Sequence, residues 1–246
     1  MKCLCFDCYA GFDPVMAAGA LLDISGDTEC ARRICKDGGF ELKTVLRAGM
    51  EAALLDISRT SELGFVTRDE LVARANSFDT GDKVKKSLCS MIQKLAEAIA
   101  INPEEAQFEL SDIMPHLAAS AIVFEQAEAM GAEAVYSSAV FSSGESGLFG
   151  SFTSIETLWL CNKYKIDTRS SQVRAELFPP VGAALMAQLG AVTGSYTLRI
   201  IKCGYGAGAA DCEEVPNVLR AVLGEDGEKD FISFEAEHFA ADGILV

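Results

Sequence analysis

Histidine is nearly missing from these 246 residues, which contain only His116 and His238. That scarcity argues against a hydrolase built on a Ser–His pairing and against a His-rich metal centre. Positive charge is also short, with 21 Lys and Arg against 36 Asp and Glu and a net charge of −15. Binding nucleic acid or an anionic membrane takes clustered Lys and Arg. The densest basic run, DKVKK with Lys83, Lys85 and Lys86, reads as the solvated face of a helix. Neither nucleic acid nor membrane is therefore an expected partner. No apolar run approaches the roughly 18 residues of a membrane span. Only four apolar residues separate Lys2 from Asp7, too few for a signal-peptide core, so a cytoplasmic location is expected.

Cysteine is plentiful instead. Nine is an odd number, and with no secretory signal it points to reduced thiols in a reducing compartment. Cys5 and Cys8 form a C-x-x-C, but inside a predicted strand rather than opening a helix, which argues against a thioredoxin-like role. No Cys/His set has zinc-ligand spacing.

The length suits one large domain, and residues 1–246 are read as a single one. KCLCFDC at 2–8 reads as a buried strand with Cys3, Cys5 and Asp7 on one face. Asp13-Pro14 then opens a helix, with a carboxylate cap and proline at the first helical position. Its sequence, VMAAGALLDIS, is apolar almost all round, so the helix should be buried. A short helix follows near 28–36, then two strands, FELKTVLR and EAALLDISR, the second of which also fits a helix. Residues 60–80 turn polar and read as an exposed segment with a helix near 68–76. Helices are predicted at about 81–99 and 111–130, the latter capped by Ser111. A strand at Ala134–Phe141, a loop SSGESGLFGS, a helix near 154–164 and a helix after Pro179-Pro180 come next. The last third is β-rich: YTLRIIKCGYG, VPNVLRAVLG and DFISFEAEHFA. The pattern predicts an α/β (α+β) fold, a mixed sheet with packed helices.

Few residues stand out chemically. Asp7 lies at the C-terminal end of an otherwise apolar strand, where α/β folds place ligand contacts; it could equally satisfy the N–H groups of the following loop. Gly11, in a tight loop feeding a helix, permits close approach of a ligand to the backbone. Asp13 at that helix end repels phosphate. Gly204-Tyr205-Gly206-Ala207-Gly208 follows a strand and allows close approach too, either by a ligand or by another stretch of backbone. His116, near Glu109 and Asp112, could ligate a divalent metal or simply face solvent near a helix start. His238 alternates away from Glu235 and Glu237. Gly144-Glu145-Ser146-Gly147 lacks the second glycine of a nucleophile elbow.

Three segments in order, FDCYAGFDPVMAAGALLD at 6–23, FPPVGAALMAQL at 178–189 and IKCGYGAGAADCEEVPNVLRAVLGE at 201–225, resemble the first half of the LarC family. The 104–138 stretch follows the same family in length and apolar pattern. The resemblance implies nickel insertion into the nickel-pincer nucleotide cofactor of lactate racemase, with nickel as the metal. It also implies a nucleotide-like small molecule or a separate second-half subunit as partner, and homo-oligomers are compatible with it. Asp7, Cys8, Gly11, Met16 and Gly19 match the family's first motif. Val15 replaces an acidic residue of that motif. Leu110, Pro115, Ala119, Pro179 and Val181 stand at positions that are polar in the family, and its histidine-rich tract has no histidine here between Arg59 and Thr80. Two expectations follow. In one, the chain handles nickel, with cysteine thiolates replacing lost histidines. In the other, it is a diverged, non-catalytic binding or scaffold paralogue that holds a nucleotide-like ligand or a partner protein. The ligand candidates are Asp7, Gly11, Gly204, Tyr205, Gly206 and Gly208; Cys8, Glu109 and His116 are the metal candidates.

Overall fold

The computed structural model describes residues 1–36, 39–57, 63–142, 146–147, 150–151, 153–170, 176–194, 196–209 and 216–226. The chain opens with strand β1 (Lys2–Asp7), whose Leu4 and Phe6 are fully buried. Helix α1 (Pro14–Ser25) begins as its sequence predicts: the Asp13 carboxylate accepts from Val15 N at 2.7 Å, and Pro14 needs no partner. It ends at Gly26, which takes a left-handed φ of 70° and returns its N–H to Leu22 O. Helix α2 (Glu29–Ile34) leads to an antiparallel hairpin of β2 (Phe40–Arg47) and β3 (Met50–Ile57).

Beyond the hairpin, β4 (Phe65–Thr67) runs into α3 (Arg68–Ser77) through a capping box between Thr67 and Glu70. Although much of this polar stretch is exposed, Val66, Leu71, Ala75 and Phe78 pack into the core. Helix α4 (Asp82–Ile99) buries Val84, Leu88, Met91, Ile92, Leu95 and Ala96, one face at helical spacing. A 3₁₀ turn and β5 (Gln107–Glu109) precede α5 (Leu110–Ala129), and β5 pairs with β4. Ser111 does not cap α5. Glu109 occupies the cap position without a side-chain bond, and Ser111 lies inside the helix, donating to Glu109 Oε1 at 3.2 Å.

The single strand expected over 134–141 is two strands, β6 (Ala134–Ser137) and β7 (Val140–Ser142). The break falls where β1 ends. Ser138 turns to accept from Cys8 N at 2.8 Å while its own N–H donates to Phe6 O, so pairing along β1 stops there. Short strands β8 (Ser146–Gly147) and β9 (Gly150–Ser151) pair with each other. Helix α6 (Ile155–Tyr164) is capped by Ser154, and β10 (Thr168–Ser170) runs parallel to β7. Helix α7 (Pro180–Leu189) closes at Gly190, φ 64°. The remaining strands are β11 (Val192–Thr193), β12 (Leu198–Ala207) and β13 (Val218–Asp226). DFISFEAEHFA, with Glu235, Glu237 and His238, lies outside the described residues, as does Glu145.

The main sheet has seven strands in the order β11-β6-β1-β13-β12-β3-β2. Its pairings make β1, β3, β6, β11 and β12 run one way and β2 and β13 the other, so the fold is α/β with a mixed sheet, as expected. Helix α1 lies directly on this sheet and carries α5 on its outer side. Contact with β12 is backbone to backbone. A Cβ on Gly206 would fall 1.8 Å from Met16 O, and one on Gly204 would fall 2.3 Å from Ala20 O. In return Gly19 of α1 sits where a Cβ would meet Ala53 O of β3 at 2.7 Å. Only glycine permits this depth of seating. Gly206→Ala is expected to destabilise the fold by about 3 kcal/mol or more in urea unfolding, because a main-chain atom cannot step aside. Gly194→Ala, which meets nothing within 4 Å, should stay within about 0.5 kcal/mol of wild type.

Candidate functional site

The parallel strands β1, β3 and β12 end on one edge of the sheet, and a cleft lies there. Asp13 comes from the loop after β1, Asp56 and Ile57 from the end of β3, and Gly208 from the end of β12. Asp112 and His116 project from the first two turns of α5, and Glu176 from the segment before α7. The cleft holds about 490 Å³, with Met16, Leu55 and Leu177 among its apolar walls. A second cavity of about 390 Å³ adjoins it, bounded by Glu109, Phe108 and the start of α7. Asp13, Asp112, His116 and Glu176 line both. Among the described residues no lysine or arginine lines either one, so the described lining is acidic.

Among the described lining residues, His116 is the one group that can carry positive charge. It is not at a helix start facing solvent; α5 begins at Leu110, and the imidazole points toward Asp13 with 22% of its side chain exposed. Its Nε2 lies 3.1 Å from Asp13 Oδ2, and its Nδ1 lies 2.9 Å from the carbonyl oxygen of Asp112. Burial by itself disfavours the charged ring. The hydrogen bond and charge of Asp13, reinforced by Asp112, outweigh it and raise the pKa to about 9. Asp13 thus uses one oxygen to cap α1 and the other to hold His116.

Asp7 and, apart from Gly208, the candidate glycines fall elsewhere. Asp7 and Arg220 face each other directly across β1 and β13 and form an ion pair, so Asp7 is held by a cross-strand partner rather than by loop N–H groups. Gly11 has φ 91°, and a Cβ there would strike Leu177 O at 2.0 Å; the close neighbour is the chain itself. Phe12 N donates to that same carbonyl at 2.9 Å. Gly204 and Gly206 seat α1, as described above, and the Tyr205 N–H donates to Asp23 Oδ2 at 2.9 Å. Of the glycine-rich run, Gly208 lines the cleft, pressed against the Asn217 side chain. Among the metal candidates, His116 lies in the cleft and Glu109 on the adjoining cavity, whereas Cys8 is fully buried between β1 and the core.

Sequence reasoning missed Asp56 and Glu176. Asp56 left a readable trace, a carboxylate near the end of the apolar run EAALLDI; Glu176 gave none. The eight described cysteines are all free thiols, and Cys3, Cys5, Cys8, Cys30, Cys35 and Cys161 are buried. Burial pushes their pKa values up, Cys5 to about 12 and Cys35 and Cys161 to about 11, away from the thiolate form that binds metal. No group of three His, Cys, Asp or Glu among the described residues is arranged to hold a metal ion. No described helix is long and apolar enough to cross a membrane.

An α/β sheet with its cleft at the strand ends defines the architecture, and comparison of sequences supplies the family. Residues 4–241 match the nickel insertion protein family, and the chain belongs to it. A "putative nickel insertion protein" of Wolinella succinogenes is 28% identical over 247 residues, covering 92% of this chain and 61% of that protein. Another, from Methanosarcina mazei, is 25% identical over 236 residues, 91% of this chain and 59% of its own length. A shorter match, 53% identical over 53 residues, is to the pyridinium-3,5-bisthiocarboxylic acid mononucleotide nickel insertion protein of Thermotoga petrophila; it covers 22% of this chain and 13% of that one. The chain spans about three-fifths of the length of the curated relatives it matches most fully. No solved structure matches it.

Two measurements probe this geometry. In metal-free protein, Asp13→Asn should move the His116 titration seen by NMR from about 9 down toward the ordinary histidine value of 6.5. The folded pKa lies above the unfolded one, so the pair stabilises fully below about pH 6.5 and loses that contribution as the pH rises toward 9. Wild type should lose more stability than Asp13→Asn across that window. Iodoacetamide on the native protein should label Cys203 first, then Cys89, among the described cysteines; rapid modification of Cys5 or Cys8 would contradict their burial.

Proposed function

We propose that this chain takes part in nickel insertion, receiving Ni²⁺ as cargo in the acidic cleft at the strand ends and releasing it to a nucleotide-like acceptor. Family membership supports the reaction class, and the observation that carries the location is the cleft's charge: Asp13, Asp56, Asp112 and Glu176 with no lysine or arginine among its described lining. Such a field gathers a divalent cation and repels a free anion.

The relative from Thermotoga petrophila names an acceptor with two thiocarboxylic acid groups and a nucleotide phosphate. An acceptor of that chemistry is anionic, so the acidic cleft admits it best once the metal is present. Its sulfur donors suit nickel better than carboxylate oxygen does, and transfer from cleft to acceptor runs toward the softer ligand. A separate second-half subunit, the partner that the family resemblance implies, belongs to this reading. A cytoplasmic location belongs to the same reading, supported by eight described cysteines that are all free. The ligand candidates Asp7 and Tyr205 would act from the opposite sheet face, through the partner rather than in the cleft.

A second reading has its own support, since no three-ligand metal group is found among the described residues. In it the chain is a non-catalytic scaffold that keeps the family fold and holds a nucleotide-like ligand or partner.

Elemental analysis after equilibration with Ni²⁺ under reducing conditions separates the two. The nickel-handling reading expects near-stoichiometric metal, unchanged by alkylation of accessible thiols. Replacing Asp56 and Asp112 together by Asn should lower the retained metal by about tenfold, from the loss of two nearby charges. Nickel lost on alkylation would move the role to the thiols. No nickel in any sample would leave the scaffold reading.

A further inference from the structure

Both ring nitrogens of His116 face groups that can only accept: a carboxylate oxygen of Asp13 at 3.1 Å and the Asp112 carbonyl oxygen at 2.9 Å. A neutral imidazole carries one N–H, so its other nitrogen would set a lone pair against an acceptor's lone pair. The imidazolium alone satisfies both contacts. In that form neither nitrogen has a lone pair to give a metal, and the ring holds a unit positive charge inside the cleft.

We propose that His116 is the resident cation of this cleft, a positioning residue that ties the start of α1 to α5 and competes with an incoming metal ion instead of ligating it. The groups around it agree. Asp13 comes from the loop before α1 and Asp112 from its own helix, while Glu176 shares the same cavity walls and Asp56 lines the cleft from β3. With Glu109 on the neighbouring cavity, every other charged side chain lining the two is acidic among the described residues. Four carboxylates around one open cleft repel one another, and the fixed imidazolium offsets part of that repulsion while the cleft is empty of cargo. Each Asp13 oxygen already accepts one hydrogen bond, from His116 on one side and from Val15 N on the other, which leaves fewer lone pairs for a metal. The competition part of this inference rests on the nickel-handling reading above; the protonation part stands on the two hydrogen bonds.

The test has two arms. In the first, ¹⁵N NMR of histidine-labelled, metal-free wild-type protein at pH 7.5 should show both His116 nitrogens protonated. A bare nitrogen on either side overturns the proposal. The second arm is equilibrium dialysis against Ni²⁺ alone. His116→Gln removes the competing charge and should bind nickel about three- to tenfold more tightly than wild type, the range expected for one screened charge nearby. His116→Lys, which returns the charge, should bring the affinity back toward wild type. If His116 were a ligand, both variants would bind more weakly, and equal or weaker binding by His116→Gln overturns the competition. If wild type and both variants bind no nickel, the nickel-handling reading fails and the competition with it. Two protonated nitrogens in that case still support the resident cation.

Discussion

The depth at which α1 sits on the sheet governs the rest of the molecule. Main-chain oxygens of Met16 and Ala20 occupy the space that side chains at 206 and 204 would fill, so the helix backbone rests on the strand backbone. A helix seated one methyl group higher would carry its N-terminus outward, and with it Asp13. Asp13 is both the cap of α1 and the carboxylate partner of His116, so the position of the cleft wall follows from two glycines of β12. The constraint is shared by the other side of the helix. Pinned between β12 and α5, α1 has little room for charge, and its Asp23 is placed where the carboxylate can accept the Tyr205 N–H at the edge of the strand.

Local signals made much of the fold legible. The cap and proline at Asp13-Pro14, the helical spacing through Val84–Ala96 and the glycine after Leu189 each act within one or two turns of chain. Those elements are where the sequence places them. The misses come from elements whose limits are set by a distant neighbour. The stretch 134–141 has strand composition throughout, but β6 can extend only as far as β1 offers partners, and Ser138 turns the chain at Cys8. Ser111 has the chemistry of a cap, yet Leu110 N is drawn to Gly64 O at 2.9 Å through the β4–β5 pairing, and the helix begins one residue early.

The candidate site was legible only in part for the same reason. Glycines at 11, 204, 206 and 208 announce close approach to something, and sequence cannot say to what. For three of them the neighbour is this chain's own backbone, at Leu177, Ala20 and Met16. Asp7 has a partner directly opposite in register, Arg220, more than 200 positions away. His116 and Asp13 lie about a hundred residues apart and become one unit only when α1 and α5 pack. Sheet topology does account for the location. Ligand clefts in α/β proteins form where parallel strands end, and the loop after β1 meets the ends of β3 and β12 there.

Donor chemistry then bears on what a nickel-handling cleft would do best. A carrier that held Ni²⁺ through thiolates and free imidazoles would compete with a sulfur-bearing acceptor for the metal, and transfer would stall. Here the described cysteines are mostly buried as protonated thiols, and the histidine in the described cleft lining has both nitrogens committed. The groups that remain to face a cation are carboxylate oxygens, which attract it by charge and hold it loosely against sulfur competition. Val15 and Pro115 line the same cleft as apolar wall. A lining with few strong donors keeps the affinity for cargo low while leaving its electrostatic attraction intact. On the nickel-handling reading, that balance favours delivery over storage.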